Sequence, residues 1–163
     1  MKSLLVVFVV IILLALGVAL YLQRAAAASP SIGSQSDGWL VGWDNAARTA
    51  TTTSHPILAD FTGSDWCGWC IKLRKEVFDT PEFILWAQKS VVLLEVDFPQ
   101  QKKLPAAQAA ENDNLAKKYA IEGYPTILLL DNKGTELGRL GYQDGGPGPW
   151  IAAAEKLLKA SGH

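Results

Sequence analysis

Short apolar stretches alternate with segments of helix-like composition, and this alternation constrains the fold more than any other feature of the sequence. The stretches Ile57 to Phe61, Val91 to Asp97 and Ile127 to Leu130 have the composition of buried strands. Strands that alternate with helices predict a mainly parallel sheet with helices on both faces. The sequence therefore predicts an α/β domain.

The segments around these strands carry helix and turn signals. Thr80 has the residue type of a helix N-cap, with Pro81 at the first helical position. Asn132-Lys133-Gly134 predicts a hairpin turn into a last, antiparallel strand at Glu136 to Leu140. The predicted helices are Trp43 to Thr53, the two cysteines through Val77, Pro81 through Trp86, Ala106 to Tyr119, and Trp150 to Ala160.

The N-terminal segment from Leu4 to Leu22 is apolar and carries no charged residue. As a helix it would be about 28 Å long, close to the hydrocarbon thickness of a bilayer. This length favours a retained anchor, whereas Ala25 to Ser29 contains small-residue patterns that a signal peptidase accepts, so both interpretations stay open. We predict a signal-anchor or signal peptide at residues 1–24, a flexible tether at 25–38 and a globular domain at 39–163.

The distribution of charge predicts on which side of the membrane the domain lies and argues against nucleic acid as a partner. Lys2 and the free N-terminus are expected to stay inside, and only Arg24 opposes this orientation. The domain is therefore expected to be anchored in the inner membrane facing the periplasm, or exported to the periplasm. The formal net charge of -1, without a basic block, predicts no nucleic-acid binding.

The chain has two cysteines, Cys67 and Cys70, at the start of a predicted helix. A disulfide between them closes too short a loop to restrict the unfolded chain strongly, so a chemical role is favoured over a stabilising one. Unpaired N–H groups and the helix dipole stabilise a thiolate at Cys67, which makes it the predicted nucleophile. Cys70 then displaces the substrate by forming a disulfide with Cys67.

Other uses of this pair need partners that the chain supplies poorly. A zinc site takes about four ligands, and the sequence adds only His55 and His163. Covalent haem attachment requires His directly after the second cysteine, where Ile71 stands. We therefore expect no metal and no cofactor other than the redox-active disulfide. A purely structural disulfide remains as the alternative.

Several separate motifs occur in a fixed order between Pro56 and Lys159. They are Ile57-Leu58-Ala59-Asp60-Phe61, Trp66-Cys67-Gly68-Trp69-Cys70, Tyr124-Pro125-Thr126 and Asp131-Asn132-Lys133-Gly134. In this order they resemble the thioredoxin superfamily. The stretch from Phe61 to Cys70 is similar to bacterial exported thioredoxin-like proteins and to the C-terminal domain of thiol:disulfide interchange proteins. The resemblance implies a three-layer α/β/α fold with a mixed central sheet.

The resemblance also implies roles for single residues. Cys67 would be the attacking thiol and Cys70 the resolving thiol. Pro125 would be in cis beside the disulfide, where backbone groups of Tyr124 and Thr126 hold an extended substrate. The alternative for Pro125 is an ordinary trans proline that opens a strand.

Asp60 would be the buried carboxylate that helps to move the proton of Cys70. A buried carboxylate has a raised pKa, which suits acid–base work near neutrality. Two departures from thioredoxin weaken this role: one extra residue precedes the cysteines, and the second strand has an apolar residue where thioredoxin has a lysine. The alternative is a strand-end Asp that accepts a backbone hydrogen bond.

Two tryptophans flank the first cysteine, and both are candidates for substrate binding. Trp66 is expected to pack, as its counterpart does in the family. Trp69 stands where thioredoxin commonly has a proline, and we expect it to be an exposed apolar contact for partner proteins. Simple packing is the alternative for both.

These features together predict a monomeric thiol-disulfide oxidoreductase that acts on protein disulfides outside the cytoplasm. The Gly68-Trp69 pair lacks the histidine of strongly oxidising family members, which favours reduction or exchange, fed by an electron donor in the membrane. The alternative is a non-catalytic thioredoxin-like binding module that assists envelope protein assembly. The intact cysteine pair favours the enzyme.

Overall fold

The computed structural model describes residues 38–162. The predicted hydrophobic helix at 1–24 and residues 25–37 of the predicted tether lie outside the described residues. Within the described range, no helix combines the length and the apolar character that a membrane crossing requires.

The described residues form one five-stranded sheet with five α-helices, one of which continues into a π-helical segment. In chain order the elements are β1 (Leu40–Val41), α1 (Trp43–Thr53), β2 (Ile57–Thr62), α2 (Gly68–Leu73), the π-helical segment (Arg74–Phe78), α3 (Pro81–Ser90), β3 (Val92–Asp97), α4 (Ala106–Lys118), β4 (Thr126–Leu130), β5 (Glu136–Leu140) and α5 (Pro147–Ala160). Each helix and strand expected from the sequence is present, although α5 begins at Pro147 rather than at Trp150.

The sheet is mixed, with the strand order β1-β3-β2-β4-β5. β3 pairs in parallel with both β1 and β2, whereas β4 runs antiparallel to β2 and to β5. The mixed sheet implied by the resemblance is therefore confirmed, whereas the expectation from composition that only the last strand is reversed is wrong for β4. The reason is that a strand buried on both faces is a continuous apolar run whichever way it points, so its composition does not encode its direction.

Two apolar clusters lie on opposite faces of the sheet, because successive side chains of a strand point to opposite sides. In β2, Leu58 joins a cluster with Phe83 of α3 and Trp150 of α5. Ala59 and Phe61 of the same strand belong to a second cluster, which includes residues of α1 and α4. The central strand is thus buried on both sides between two layers of helices. This sandwich holds the end of β2 in place, and the chain reaches the two cysteines directly beyond that end.

Candidate active site

Cys67 and Cys70 are joined by a disulfide, with their Cα atoms 5.2 Å apart. Cys67 is the N-cap of α2, and its sulfur accepts a hydrogen bond from the backbone N–H of Cys70 at 3.2 Å. The two residues are 7% and 4% exposed, so only a small part of the disulfide reaches the surface. Access to its sulfur atoms is therefore restricted by the surrounding residues.

The turn that precedes the disulfide is stabilised by hydrogen bonds within the turn and by hydrogen bonds to β3. The backbone O of Gly63 accepts hydrogen bonds from the N–H groups of Trp66 and Cys67, at 3.3 and 2.9 Å. Asp97, the last residue of β3, accepts two bonds from Ser64: the backbone N–H at 2.9 Å and the hydroxyl at 2.7 Å. The end of β3 thereby fixes the turn that delivers Cys67 to its N-cap position.

Asp65 joins this turn to the polar loop after β3. Its carboxylate accepts backbone hydrogen bonds from Gln100 and Gln101, both at 2.9 Å, and from Lys102 at 3.1 Å. These bonds, that from Gln100 most of all, lower the pKa of Asp65. The contacts of Asp65 and Asp97 are not visible in the sequence, because their partners are distant along the chain.

A second loop, between α4 and β4, carries the predicted proline. The Tyr124–Pro125 peptide bond is cis. Thr126 begins β4, and its hydroxyl donates a hydrogen bond of 2.7 Å to the backbone O of Gly123. The structure brings this loop to the disulfide turn, because the ring of Tyr124 lies 5.9 Å from the ring of Trp66 in an edge-on arrangement.

Trp66 and Trp69 take different positions beside the disulfide. The indole N–H of Trp66 donates a hydrogen bond of 2.7 Å to the backbone O of Phe98, and the side chain remains 41% exposed. Trp69 is 58% exposed and lies 5.1 Å, between ring centroids, from Tyr142. The Lys72 ammonium group is 5.2 Å from the Trp69 ring and 4.7 Å from the Tyr142 ring. Trp69 is thus supported from one side while its outer surface faces solvent.

Asp60 lies in β2 and is 3% exposed, and its Oδ1 atom accepts no hydrogen bond from the described residues. Burial, followed by the nearby Glu95 carboxylate, raises the pKa of Asp60 from 3.8 to about 7. The carboxyl group and Cys70 line the same cavity, which has a volume of about 540 Å³. A carboxyl group with this pKa both accepts and releases a proton near neutrality.

The sequence alone does not reveal the charged surroundings of Asp60. Glu95 of β3 lies directly opposite Asp60 in the strand register. Its carboxylate is paired with Arg74, whose Nη1 atom lies 3.1 Å from Oε2. The cation near the buried acid therefore comes from the helical layer and not from a strand. The one signal in the sequence is a charged residue, Glu95, within an otherwise apolar strand.

The sequence predicts that the protein holds no metal. Within residues 38–162, no group of three or more His, Cys, Asp or Glu side chains is placed to bind a metal ion. The absence of a cofactor other than the disulfide stays a prediction.

A disulfide at a helix N-terminus, beside a cis-proline loop and at the end of a central strand of a mixed sheet, is the arrangement of a thioredoxin-like domain. The family model described as a thioredoxin-like domain matches residues 43–146. The chain belongs to this family.

Named relatives and a solved structure agree with this assignment. The disulfide bond reductase DsbH of Chlamydia pneumoniae is 36% identical over 104 residues, which cover 64% of this chain and 63% of DsbH. The thioredoxin-related protein DsbJ of the same organism is 34% identical over 110 residues, which cover 66% of this chain and 31% of DsbJ. A solved structure described as DsbH oxidoreductase matches with a TM-score of 0.69 and 30% identity, over 84% of this chain and 98% of that one. The chain therefore spans less than two thirds of the length of either named relative.

Proposed function

We propose that the protein is a thiol-disulfide oxidoreductase that reduces or exchanges protein disulfides through Cys67 and Cys70. The observation that carries this proposal is the disulfide itself, which has Cys67 at the N-cap of α2 and its sulfur bonded to the N–H of Cys70. The same hydrogen bond stabilises a thiolate on Cys67 once the disulfide is reduced. The similarity to a disulfide bond reductase supports this proposal.

The reaction proceeds in two exchange steps. The Cys67 thiolate attacks one sulfur of a substrate disulfide, which releases one substrate thiolate and leaves a mixed disulfide. Cys70 then gives its proton to Asp60, and its thiolate attacks the sulfur of Cys67. The second substrate sulfur leaves as a thiolate, the Cys67–Cys70 disulfide forms, and two electrons have passed to the substrate. The pKa of Asp60, raised to about 7, suits it to accept this proton.

The loop at Tyr124, Pro125 and Thr126 is proposed to hold the substrate chain in an extended conformation beside the disulfide. Trp66 and Trp69 are proposed to contact apolar groups on either side of the substrate cysteine. Their exposure, 41% and 58%, supports such contacts, because large exposed aromatic side chains are common at the centre of protein interfaces. These contacts favour protein disulfides over small disulfides as the substrates.

We further propose that the domain works as a monomer outside the cytoplasm. The uncharged run at the N-terminus supports a membrane anchor that faces the periplasm or a signal peptide that exports the chain there. In either position the oxidised dithiol needs a membrane redox partner that returns two electrons. No other cofactor is required by these steps.

The activity is tested by insulin reduction in the presence of dithiothreitol, with the full chain in detergent. The wild-type protein is expected to accelerate the precipitation of reduced insulin, and Cys67→Ser to abolish this acceleration. In a separate incubation of reduced Cys70→Ser with insulin and no dithiothreitol, a mixed disulfide is expected to accumulate, visible as a band that disappears when a reductant is added. A wild-type protein that folds but gives no acceleration contradicts the proposal and favours the non-catalytic binding module.

The direction of electron flow is tested separately by equilibrating Cys67 and Cys70 with glutathione. A reductase is expected to have a reduction potential near that of thioredoxin, about -270 mV, rather than near the about -120 mV of a strong oxidant. A value at the oxidising end would reverse the proposed direction while leaving the chemistry of the two cysteines intact.

The proposed role of Trp69 predicts a difference between large and small substrates. Trp69→Ala is expected to raise KM for insulin and to leave the reaction with a small aromatic disulfide unchanged. Ile84→Ala is a matched control, because Ile84 is also an exposed apolar residue, at 40%, but lies on α3. Equal effects of the two variants on insulin would argue against a specific contact at Trp69.

A further inference from the structure

The cavity behind Cys70 is lined by several charged side chains. Cys70 is contributed by α2, Arg74 by the π-helical segment, and Asp60 and Glu95 by neighbouring strands. Asp60 has a buried Oδ1 atom without a hydrogen-bond partner among the described residues. A buried polar atom of this kind is costly and is often retained for chemistry.

The Arg74–Glu95 pair lies directly beside this carboxyl group. Glu95 is the register partner of Asp60, and its side chain is 10% exposed. Arg74 reaches it with Nη1 at 3.1 Å, while Nε lies 3.2 Å from the carboxylate of Asp79. One guanidinium group therefore bridges a partly buried acid on the sheet and an acid at the end of the π-helical segment.

Three charges act on Asp60, two from β3 and one from the π-helical segment. Glu95 and Asp97, both on β3, raise its pKa, and Arg74 lowers it. Asp97 is itself paired with Lys102 at 2.9 Å, which offsets part of its charge. The contributions of Glu95 and Arg74 thus have opposite signs at the same carboxyl group.

The remaining charged groups stand at the rim of the cavity. They are Asp65, Lys75, Asp79 and Lys102. Asp79 faces Arg74 and Lys102 faces Asp97, so these two act on the inner charges more than on Asp60. Lys75 follows Arg74 in the chain and also lines the cavity.

We propose that Arg74 and Glu95 are a positioning pair that balances the charge around Asp60, and so set the pH at which Asp60 takes the proton of Cys70. This inference rests on the proposed thiol-disulfide exchange and concerns its second step. In that step the proton passes from the Cys70 thiol to the Asp60 carboxylate, directly or through water in the cavity. The Cys70 sulfur then forms the bond to Cys67 as the bond from Cys67 to the substrate breaks.

The pair also links this proton transfer to the helical layer. Arg74 opens the π-helical segment immediately after α2, the helix that carries Cys70. π-helical turns within α-helices are frequent at functional sites. The insertion places a cation over the sheet near Asp60, in a region where burial makes each charge act strongly.

The test measures protonation of Asp60 directly in the oxidised full chain, by carboxyl carbon NMR, with Asp60→Asn to assign the signal. Glu95→Gln is expected to move the titration midpoint to lower pH by about one pH unit, and Arg74→Gln to move it higher by a similar amount. Arg74→Lys retains the charge and is expected to restore the midpoint. Lys75→Gln, which removes a neighbouring cation at the rim, is expected to leave it unchanged.

The same variants are then followed through the second step. The mixed disulfide with a fluorescent peptide is formed at Cys67, and the release of the peptide is measured between pH 5 and pH 9. The pH at which the release rate changes is expected to be lower in Glu95→Gln and higher in Arg74→Gln, in agreement with the NMR midpoints. Shifts of the same sign in both variants, or a Glu95→Gln midpoint equal to wild type, would overturn the proposal.

Failure of this inference is distinguishable from failure of the proposed function. If the wild-type chain does not reduce insulin, the proposed function fails whatever the NMR midpoints are. If it reduces insulin but the release profiles of Glu95→Gln and wild type coincide, only the positioning pair fails. Should Arg74→Gln not fold, Glu95→Gln and Arg74→Lys still decide the matter.

Discussion

Asp97 binds Ser64 with both of its carboxylate oxygens, one accepting the backbone N–H at 2.9 Å and the other the hydroxyl at 2.7 Å. Asp97 is 4% exposed and also pairs with Lys102 at 2.9 Å. A strand end is thus joined to the turn before the disulfide by charge-assisted hydrogen bonds, which are stronger than neutral ones. The position of Cys67 depends on this connection.

Asp97→Ala is therefore expected to lower the free energy of unfolding by about 2–3 kcal/mol, because the N–H of Ser64 and the Lys102 ammonium group lose a charged partner. Ser64→Ala removes only the hydroxyl bond and is expected to cost about 1 kcal/mol. Urea unfolding of the oxidised proteins measures both values. Equal costs for the two variants would show that the charge on Asp97 contributes little.

Gly63 predicts a second effect on the same turn. A Cβ atom at this position would lie 2.5 Å from Cε2 of Trp66, whereas one at Gly68 would meet no atom within 4 Å. Gly63→Ala is expected to displace the indole and to cost about 1–3 kcal/mol. Gly68→Ala, in the first turn of α2, is the matched control and is expected to be neutral or slightly stabilising.

Thermal unfolding and tryptophan fluorescence measure this difference. A displaced Trp66 is expected to change the emission spectrum of Gly63→Ala but not that of Gly68→Ala. A Gly63→Ala protein with the melting temperature and spectrum of wild type would contradict the packing described for the indole.

Asp60 predicts how stability depends on pH. Its pKa is about 7 in the folded protein and near 3.8 when the chain is unfolded, so the folded state binds the proton more tightly. The stability from this group is complete below about pH 4 and is lost as the pH rises towards 7. Asp60→Asn removes this contribution to the pH dependence of the free energy of unfolding.

The free energy of unfolding of Asp60→Asn, relative to wild type, is therefore expected to rise by roughly 3 kcal/mol between pH 5 and pH 8. Urea unfolding at the two pH values, with the disulfide intact, provides the comparison. Stability differences that are the same at both values would mean that Asp60 titrates in the folded protein much as it does in the unfolded chain.

The N-cap of α3 gives a test of stability away from the disulfide. The hydroxyl of Thr80 accepts the N–H of Phe83 at 3.3 Å and donates to the backbone O of Val77 at 2.6 Å. Thr80→Ala is expected to cost about 1 kcal/mol in urea unfolding and to leave insulin reduction unchanged. Thr52→Ala, at an exposed position in α1, is the control and is expected to cost nothing, since Ala has the higher helix propensity.

The longer elements were predictable because their signals are local. β2 and β4 are nearly continuous apolar runs, and Thr80 with Pro81 marks the start of α3 by residue type alone. β1 is not predictable from the sequence, because a strand of two residues carries no pattern. It exists because Leu40 pairs with Leu94 of β3.

In the candidate site, too, local features are predictable from the sequence and long-range contacts are not. The spacing of Cys67 and Cys70 is visible in the sequence, whereas the contacts that support them join distant positions. Ser64 and Asp97 are 33 residues apart, and Arg74 and Glu95 are 21 apart. Such pairs form only after the strand register and the π-helical insertion are set, and neither of these is encoded by local propensity.

Both edges of the sheet are poor templates for an incoming strand. β1 offers only Leu40 and Val41, and β5 has an irregular register with β4 and carries Glu136 and Arg139 in a 2.9 Å ion pair. Short, charged or irregular edges discourage edge-to-edge association. An exposed strand of another chain therefore finds no long, regular edge to which it can add.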